Sequence, residues 1–257
     1  MRTSIFTERT GVGSAARLLT GVALIGLAHW LDRRSITPVR IGDLRNPGAG
    51  SNNPFDWLAY KDVDLRAARL ADVGLYGGPA LPLLAALHPR QRPNRSHIFL
   101  LWAEAMILNF GATSVIKNSA NRPRPYVFND NFPEDTQLSR NDRAAFLSGH
   151  ASHATLGVVL FARLVGEGTE AKILEVAAWV LTGFMAGYTG YLRVKAAKHW
   201  PTDAIAGCLL GYFIASRIYN IHEPVLSRSR QILGVSDSDA AIRIIDGESG
   251  KVALQAG

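Results

Sequence analysis

The amino-acid sequence predicts an all-α fold: an integral membrane helical bundle of about six transmembrane helices with a polar extracytoplasmic cap. Three observations point there. Apolar runs recur at about 15–31, 71–88, 97–116, 151–165, 173–191 and 204–220, and most approach the roughly 17–25 residues needed to cross a bilayer core. Hydrophobic residues make up 47% of the 257 positions against 19% charged, which excludes wholesale disorder. The mean hydropathy is nevertheless only +0.06, so any spans must be joined by substantial polar loops. A soluble bundle with buried helices of the same lengths is the competing architecture.

Taken in order, the first run, Ala15 to Leu31, follows Arg2, Arg9 and Arg17. A basic start before an apolar run suits a signal peptide or an anchor. No small-x-small site precedes Asp32, so an uncleaved anchor is expected. Residues 32–69 are polar and read as a loop, with a short amphipathic helix around Pro54 to Leu70. Asp72, Glu104 and Glu175 each interrupt an apolar run and should face the bundle interior or lie near a helix end. Beyond Glu223 the chain turns polar, and two β-prone runs around 246–250 suggest a small hairpin. The organisation expected is an N-terminal anchor and loop (1–70), a helical core (71–222) and a polar tail (223–257).

Charge sets the orientation and narrows the partners. Arg90, Arg92 and Arg95, then Arg163 and Lys172, then Arg228 and Arg230 all fall on the N-terminal side of a six-span layout. By the positive-inside rule that side is cytoplasmic, which turns the loops at 117–150 and 192–200 outward. The formal charge of +7 implies an anionic partner: a membrane surface, a phosphorylated substrate or nucleic acid. Nucleic acid is set aside, because the basic residues are scattered and form no single face. Cys208 is the only cysteine, so no intrachain disulfide can form.

The two outward loops hold most of the reactive side chains. Lys117-Asn118-Ser119-Ala120-Asn121-Arg122-Pro123-Arg124-Pro125 follows the third run; alone, basic residues there would only meet lipid headgroups. Ser148-Gly149-His150 directly precedes the fourth run. There Ser148 can cap a helix whose free N–H groups suit a phosphate. Arg193 then opens a segment ending His199-Trp200-Pro201-Thr202-Asp203. Pro201 fits a first helical position, which leaves His199 on the lip. Asp203 can fold back to fix the imidazole tautomer, leaving the other ring nitrogen as nucleophile or base, or can simply serve the helix dipole.

In this order and spacing the three segments resemble the signature of the type 2 phosphatidic acid phosphatase superfamily over about residues 71–220. Leu147 and Leu192 stand where that family often has proline and serine; neither is a reacting group. The resemblance implies that His199 attacks phosphorus, that Asp203 orients it, and that His150 protonates the leaving group. It implies further that Lys117, Arg124, Arg193, Ser148 and Gly149 hold the phosphoryl oxygens, with no metal and no other cofactor. The implied partners are the membrane bilayer and a lipid-linked phosphate: phosphatidic acid, phosphatidylglycerophosphate, undecaprenyl diphosphate or a lipid A phosphate. The implied location is a bacterial cytoplasmic membrane, with the site facing the periplasm. A soluble secreted acid phosphatase of the same superfamily, or a non-catalytic lipid-phosphate binding or transport protein, are the alternatives.

The remaining histidines and aromatics have plainer expectations. His153, one turn after His150, could form a metal pair but has no accompanying ligands. His29, His88, His97 and His222 fall near the ends of apolar runs, where an interfacial position explains them. Tyr188, Tyr191 and Trp200 suit an aromatic belt or a lipid opening. The segment Tyr126 to Phe146 is expected to cover the site.

Overall fold

A computed structural model describes residues 2–34, 39–44, 53–59, 62–129, 131, 133–168 and 171–232. The expected hairpin around 246–250 lies outside them. Among the described residues, four 3-10 turns accompany six long helices and one short one: α1 (Arg2–Arg33), the short α2 (Ile41–Leu44), α3 (Leu65–Leu87), α4 (Arg95–Ala120), α5 (Gly149–Gly168), α6 (Lys172–Lys195) and α7 (Pro201–Ile232). No strand occurs among the described residues, where pairing is limited to an isolated antiparallel bridge between Arg40 and Gln137. The amphipathic helix expected over 54–70 is instead a 3-10 turn, Pro54–Leu58, followed by the start of α3. Asp64 divides the two, its carboxylate accepting from the backbone N–H groups of Arg66 and Ala67 at 2.9 Å each. Both would otherwise lack a partner in a first helical turn.

Five of the six long helices, all but α5, are long and apolar enough to cross a membrane. Their outer faces carry exposed Leu19, Val73, Phe99, Val180, Phe184 and Phe213, a surface suited to lipid and not to water. The exception has a physical reason. α5 packs against α3, α4, α6 and α7, and from Gly149 to Leu160 every residue except His150 is buried. A helix surrounded by protein need not be apolar throughout, and α5 accordingly carries Ser152, His153 and Thr155 among its buried residues.

Small residues let the neighbours approach α5 closely, the usual way to pack helices when lipid supplies no hydrophobic drive between them. A Cβ at Gly157 would fall on the backbone of Gly78 and Pro79 in α3, and one at Gly211 in α7 on the Ser152 carbonyl. Gly157→Val therefore forces two backbones apart. Overpacking of this kind costs roughly 1–3 kcal/mol, so the thermal midpoint in detergent should drop by several degrees; an unchanged midpoint would contradict this packing.

α1 lies along α4, where the Arg17 guanidinium meets the fully buried Glu104 and Asn118 donates to the Ala28 carbonyl at 2.8 Å. Glu104 faces the interior, as its place in an apolar run required. The interfacial expectation for His222 is corrected: it is 2% exposed. One of its ring nitrogens lies 3.0 Å from Glu104 Oε2, the other 2.8 Å from His97 Nε2. The buried carboxylate needs partners, and its Oε2 takes both Arg17 and His222, which draws the His222 ring inward.

Candidate active site

Successive antiparallel helices bring the C-terminal ends of α4 and α6 together with the N-terminal ends of α5 and α7. Asn121 adopts the left-handed conformation (φ 47°) that ends α4. Ala197 does the same (φ 56°) after α6, turning the short 196–200 connection back toward the bundle. Ser148 N–H donates to the Asp203 carbonyl at 3.0 Å, which joins the starts of α5 and α7. The motif residues, spread over 87 positions of sequence (117 to 203), thus converge.

His199 is buried, with 1% of its surface exposed. Its Nδ1 lies 2.6 Å from the Ala145 carbonyl, which can only accept, so Nδ1 carries the hydrogen and Nε2 keeps a free lone pair. The direct partner differs from the one expected. Asp203 lies 3.9 Å from Nδ1 and spends its oxygens elsewhere, accepting from Trp200 N–H at 2.8 Å and Arg122 at 2.5 Å. Its carboxylate is close enough to stabilise a charged ring electrostatically, but the backbone of Ala145 sets the tautomer.

Burial pushes the His199 imidazole well below the ordinary histidine range, and the nearby charges of Lys117, Arg124 and Arg193 push it further, against the Ala145 hydrogen bond. The folded ring therefore stays neutral at a pH where the unfolded chain takes up a proton. Below pH ~6.5 the unfolded state binds more protons than the folded one, so stability falls as the pH drops from there toward the lowered folded value. Followed by NMR, the His199 ring should remain neutral at pH 6; a midpoint at or above 6.5 would contradict this environment.

The three cations surround this ring without carboxylate partners. Arg124 and Arg193 are 8% and 7% exposed, and each has a buried Nε with no hydrogen-bond partner. A Cβ placed on Gly149 would lie 3.2 Å from Lys117 Nζ, so the ammonium sits close against the start of α5. None of the three forms an ion pair among the described residues, although Arg124 donates to Asn141 at 2.9 Å. Unsatisfied buried donors of one sign call for an anion. Ser148 is fully buried, with Oγ 3.4 Å from Ala151 N–H, the geometry of a helix cap.

His150 lies beside the cation cluster, Nε2 at 3.0 Å from Asp72 on α3. His153 is buried, and its Nδ1 contacts the Gly149 carbonyl at 2.8 Å. Among the described residues no group of three or more His, Cys, Asp or Glu side chains could hold a metal ion. Trp200, 5% exposed, donates to the Pro123 carbonyl at 2.8 Å and is a core residue, not part of a belt. Tyr188 and Tyr191 stay half-exposed, stacked in series with Phe184.

Sequence reasoning missed a supporting network. Arg122 donates to Asp56 at 2.6 Å, to Asp203 at 2.5 Å and to Thr202 at 2.9 Å. Asp56, 1% exposed, also accepts from the N–H and hydroxyl of Thr202. The 3-10 turn at Pro54–Leu58 is thereby pinned to the start of α7, where Asp203 sits. Arg122 stands inside the first motif and could have been flagged by its neighbours. Asp56 carries no periodic or spacing signal, and Ala145 acts through a backbone carbonyl that side-chain identity cannot reveal.

A family model described as the PAP2 superfamily matches residues 98–226, half of the chain and all of the motif residues. No solved structure matches the chain.

Proposed function

The chain belongs to the PAP2 superfamily, and on that premise we propose that it is a metal-independent membrane phosphatase that hydrolyses a lipid phosphate or diphosphate through a phosphohistidine. Members of the superfamily are phosphatases. The observation that carries the reading here is the pair of buried arginines, Arg124 and Arg193, each with an Nε lacking a hydrogen-bond partner, which with the half-buried Lys117 act on a His199 ring held below the ordinary histidine range. In the proposed first step His199 Nε2 donates its lone pair to phosphorus. The bond from phosphorus to the leaving oxygen breaks, and that oxygen takes a proton from His150. In the second step water gives a proton to His150 and its oxygen bonds phosphorus, while the N–P pair returns to His199. Lys117, Arg124 and Arg193, with the N–H groups at the start of α5, hold the phosphoryl oxygens as charge builds on them. Asp203 stabilises the ring cation formed in the first step.

A groove supports a lipid as the carrier of the phosphate. It has a volume of about 620 Å³ and runs between α3 and α4 from Lys117, Gly149 and His150 toward Leu83 and Trp102. Lys117 and Trp102 lie on one helix, about 22 Å apart at 1.5 Å per residue, and the walls are mainly apolar. A phosphate in the cation cage would leave its tail in this groove. Phosphatidic acid, phosphatidylglycerophosphate, undecaprenyl diphosphate and lipid A phosphates all have this form. With the basic connections cytoplasmic, the site would face the periplasmic side of a bacterial cytoplasmic membrane.

The test blocks the groove. Ala80→Trp should raise KM at least about tenfold for a long-chain lipid phosphate, on the scale of losing a few buried methylenes. It should leave hydrolysis of a short aryl phosphate nearly unchanged. Equal loss on both substrates, or loss on neither, would remove the groove from substrate binding.

A further inference from the structure

Asp72 belongs to none of the three motifs and lies outside the residues matched by the family. An ionisable side chain in an apolar helix is costly and is kept where it pairs with something. Here its partner is specific: Oδ1 sits 3.0 Å from His150 Nε2. A carboxylate accepts only, so Nε2 must carry a hydrogen, and Nδ1 is the nitrogen left to exchange protons with other groups. The charged groups that act on His150 are Asp72 from α3, Lys117 from α4 and Arg193 from α6. Burial first, then Arg193 and Lys117, oppose a protonated ring, and Asp72 is the charged group that favours it.

Resting on the phosphatase reading, we propose that Asp72 is the positioning residue for the proton-transfer histidine: it holds His150 as the Nε2–H tautomer, turns Nδ1 to the leaving oxygen and stabilises the imidazolium. When Nδ1–H gives its proton to the departing oxygen, the Nε2–H bond to Asp72 is kept. When Nδ1 later takes a proton from water, the same bond supports the returning charge. The arrangement works in both directions with the Asp72 hydrogen bond unbroken.

The near-isosteric Asp72→Asn variant of the full chain tests this in two ways. Without substrate, the His150 ring titration followed by NMR should move to lower pH by about 1 unit, since an opposite charge at this range favours the charged form. In turnover, release from an alkyl lipid phosphate should fall ten- to a hundredfold, the scale of general acid catalysis. An activated aryl phosphate, whose leaving group needs no proton, should lose under about threefold in the same step. Asp72→Glu should recover part of both. An unmoved ring titration, or equal loss on both esters, overturns the proposal. His199→Ala in the same panel separates the two readings. Activity retained there breaks the phosphohistidine scheme, whereas its loss beside a normal Asp72→Asn enzyme sinks only the role of Asp72.

Discussion

His199→Ala should lower phosphate release by on the order of 10⁴-fold or more, the scale seen when a nucleophile is removed from a site whose other parts remain. The geometry explains why no neighbour can substitute. His150 also stands beside the cation cluster, but its Nε2 is committed to Asp72 and its Nδ1 serves proton transfer in the proposed scheme. Cys208 is only partly buried, with its sulfur 3.8 Å from the Ala186 carbonyl on α6. The cations stay in place, so an oxyanion such as vanadate should still bind the variant. A loss confined to kcat with binding retained identifies a group used in chemistry; loss of binding as well would mean that His199 holds the cage together.

Arg122→Met should destabilise the folded protein by roughly 3–5 kcal/mol, the cost of removing one partner from a buried ion pair. Asp56 and Asp203 are 1% and 0% exposed and share this one guanidinium. Without it two buried carboxylates face each other across the space it filled. The indole of Trp200, with the guanidinium carbon 5.3 Å from its centroid, also loses its cation. Unfolding in detergent should show the drop. The double variant Arg122→Met, Asp56→Asn should recover part of it, because one of the stranded charges is gone. Equal stability of wild type and single variant would contradict the network, and no recovery in the double variant would contradict the shared role of Asp56.

The parts of the structure legible in sequence were those written in local pattern. Apolar runs located the six long helices, and Pro201 opens α7 as its fit to a first helical position led one to expect. Seven of the eight motif residues stood out because each has a reactive or charged side chain, and Gly149 because it lies between Ser148 and His150. What escaped reading depends on contacts made only after folding. His222 lies near the end of an apolar run and looked interfacial, yet the buried Glu104, 118 positions away in sequence, draws it inward. Asp56 reaches Thr202 across 146 positions from a loop with no periodicity. The central place of α5 was equally hidden: its polar residues lowered its apolar signal, and only the packing shows that protein, not lipid, surrounds it.

The most direct test of the phosphohistidine scheme is acid-labile, alkali-stable phosphate on the protein, trapped by rapid mixing with a labelled lipid phosphate in EDTA. The account expects label on wild type within the first turnover, mapped to His199 and absent from His199→Ala. Label on another residue, label that survives His199→Ala, or turnover in EDTA with no labelled protein at all would contradict it.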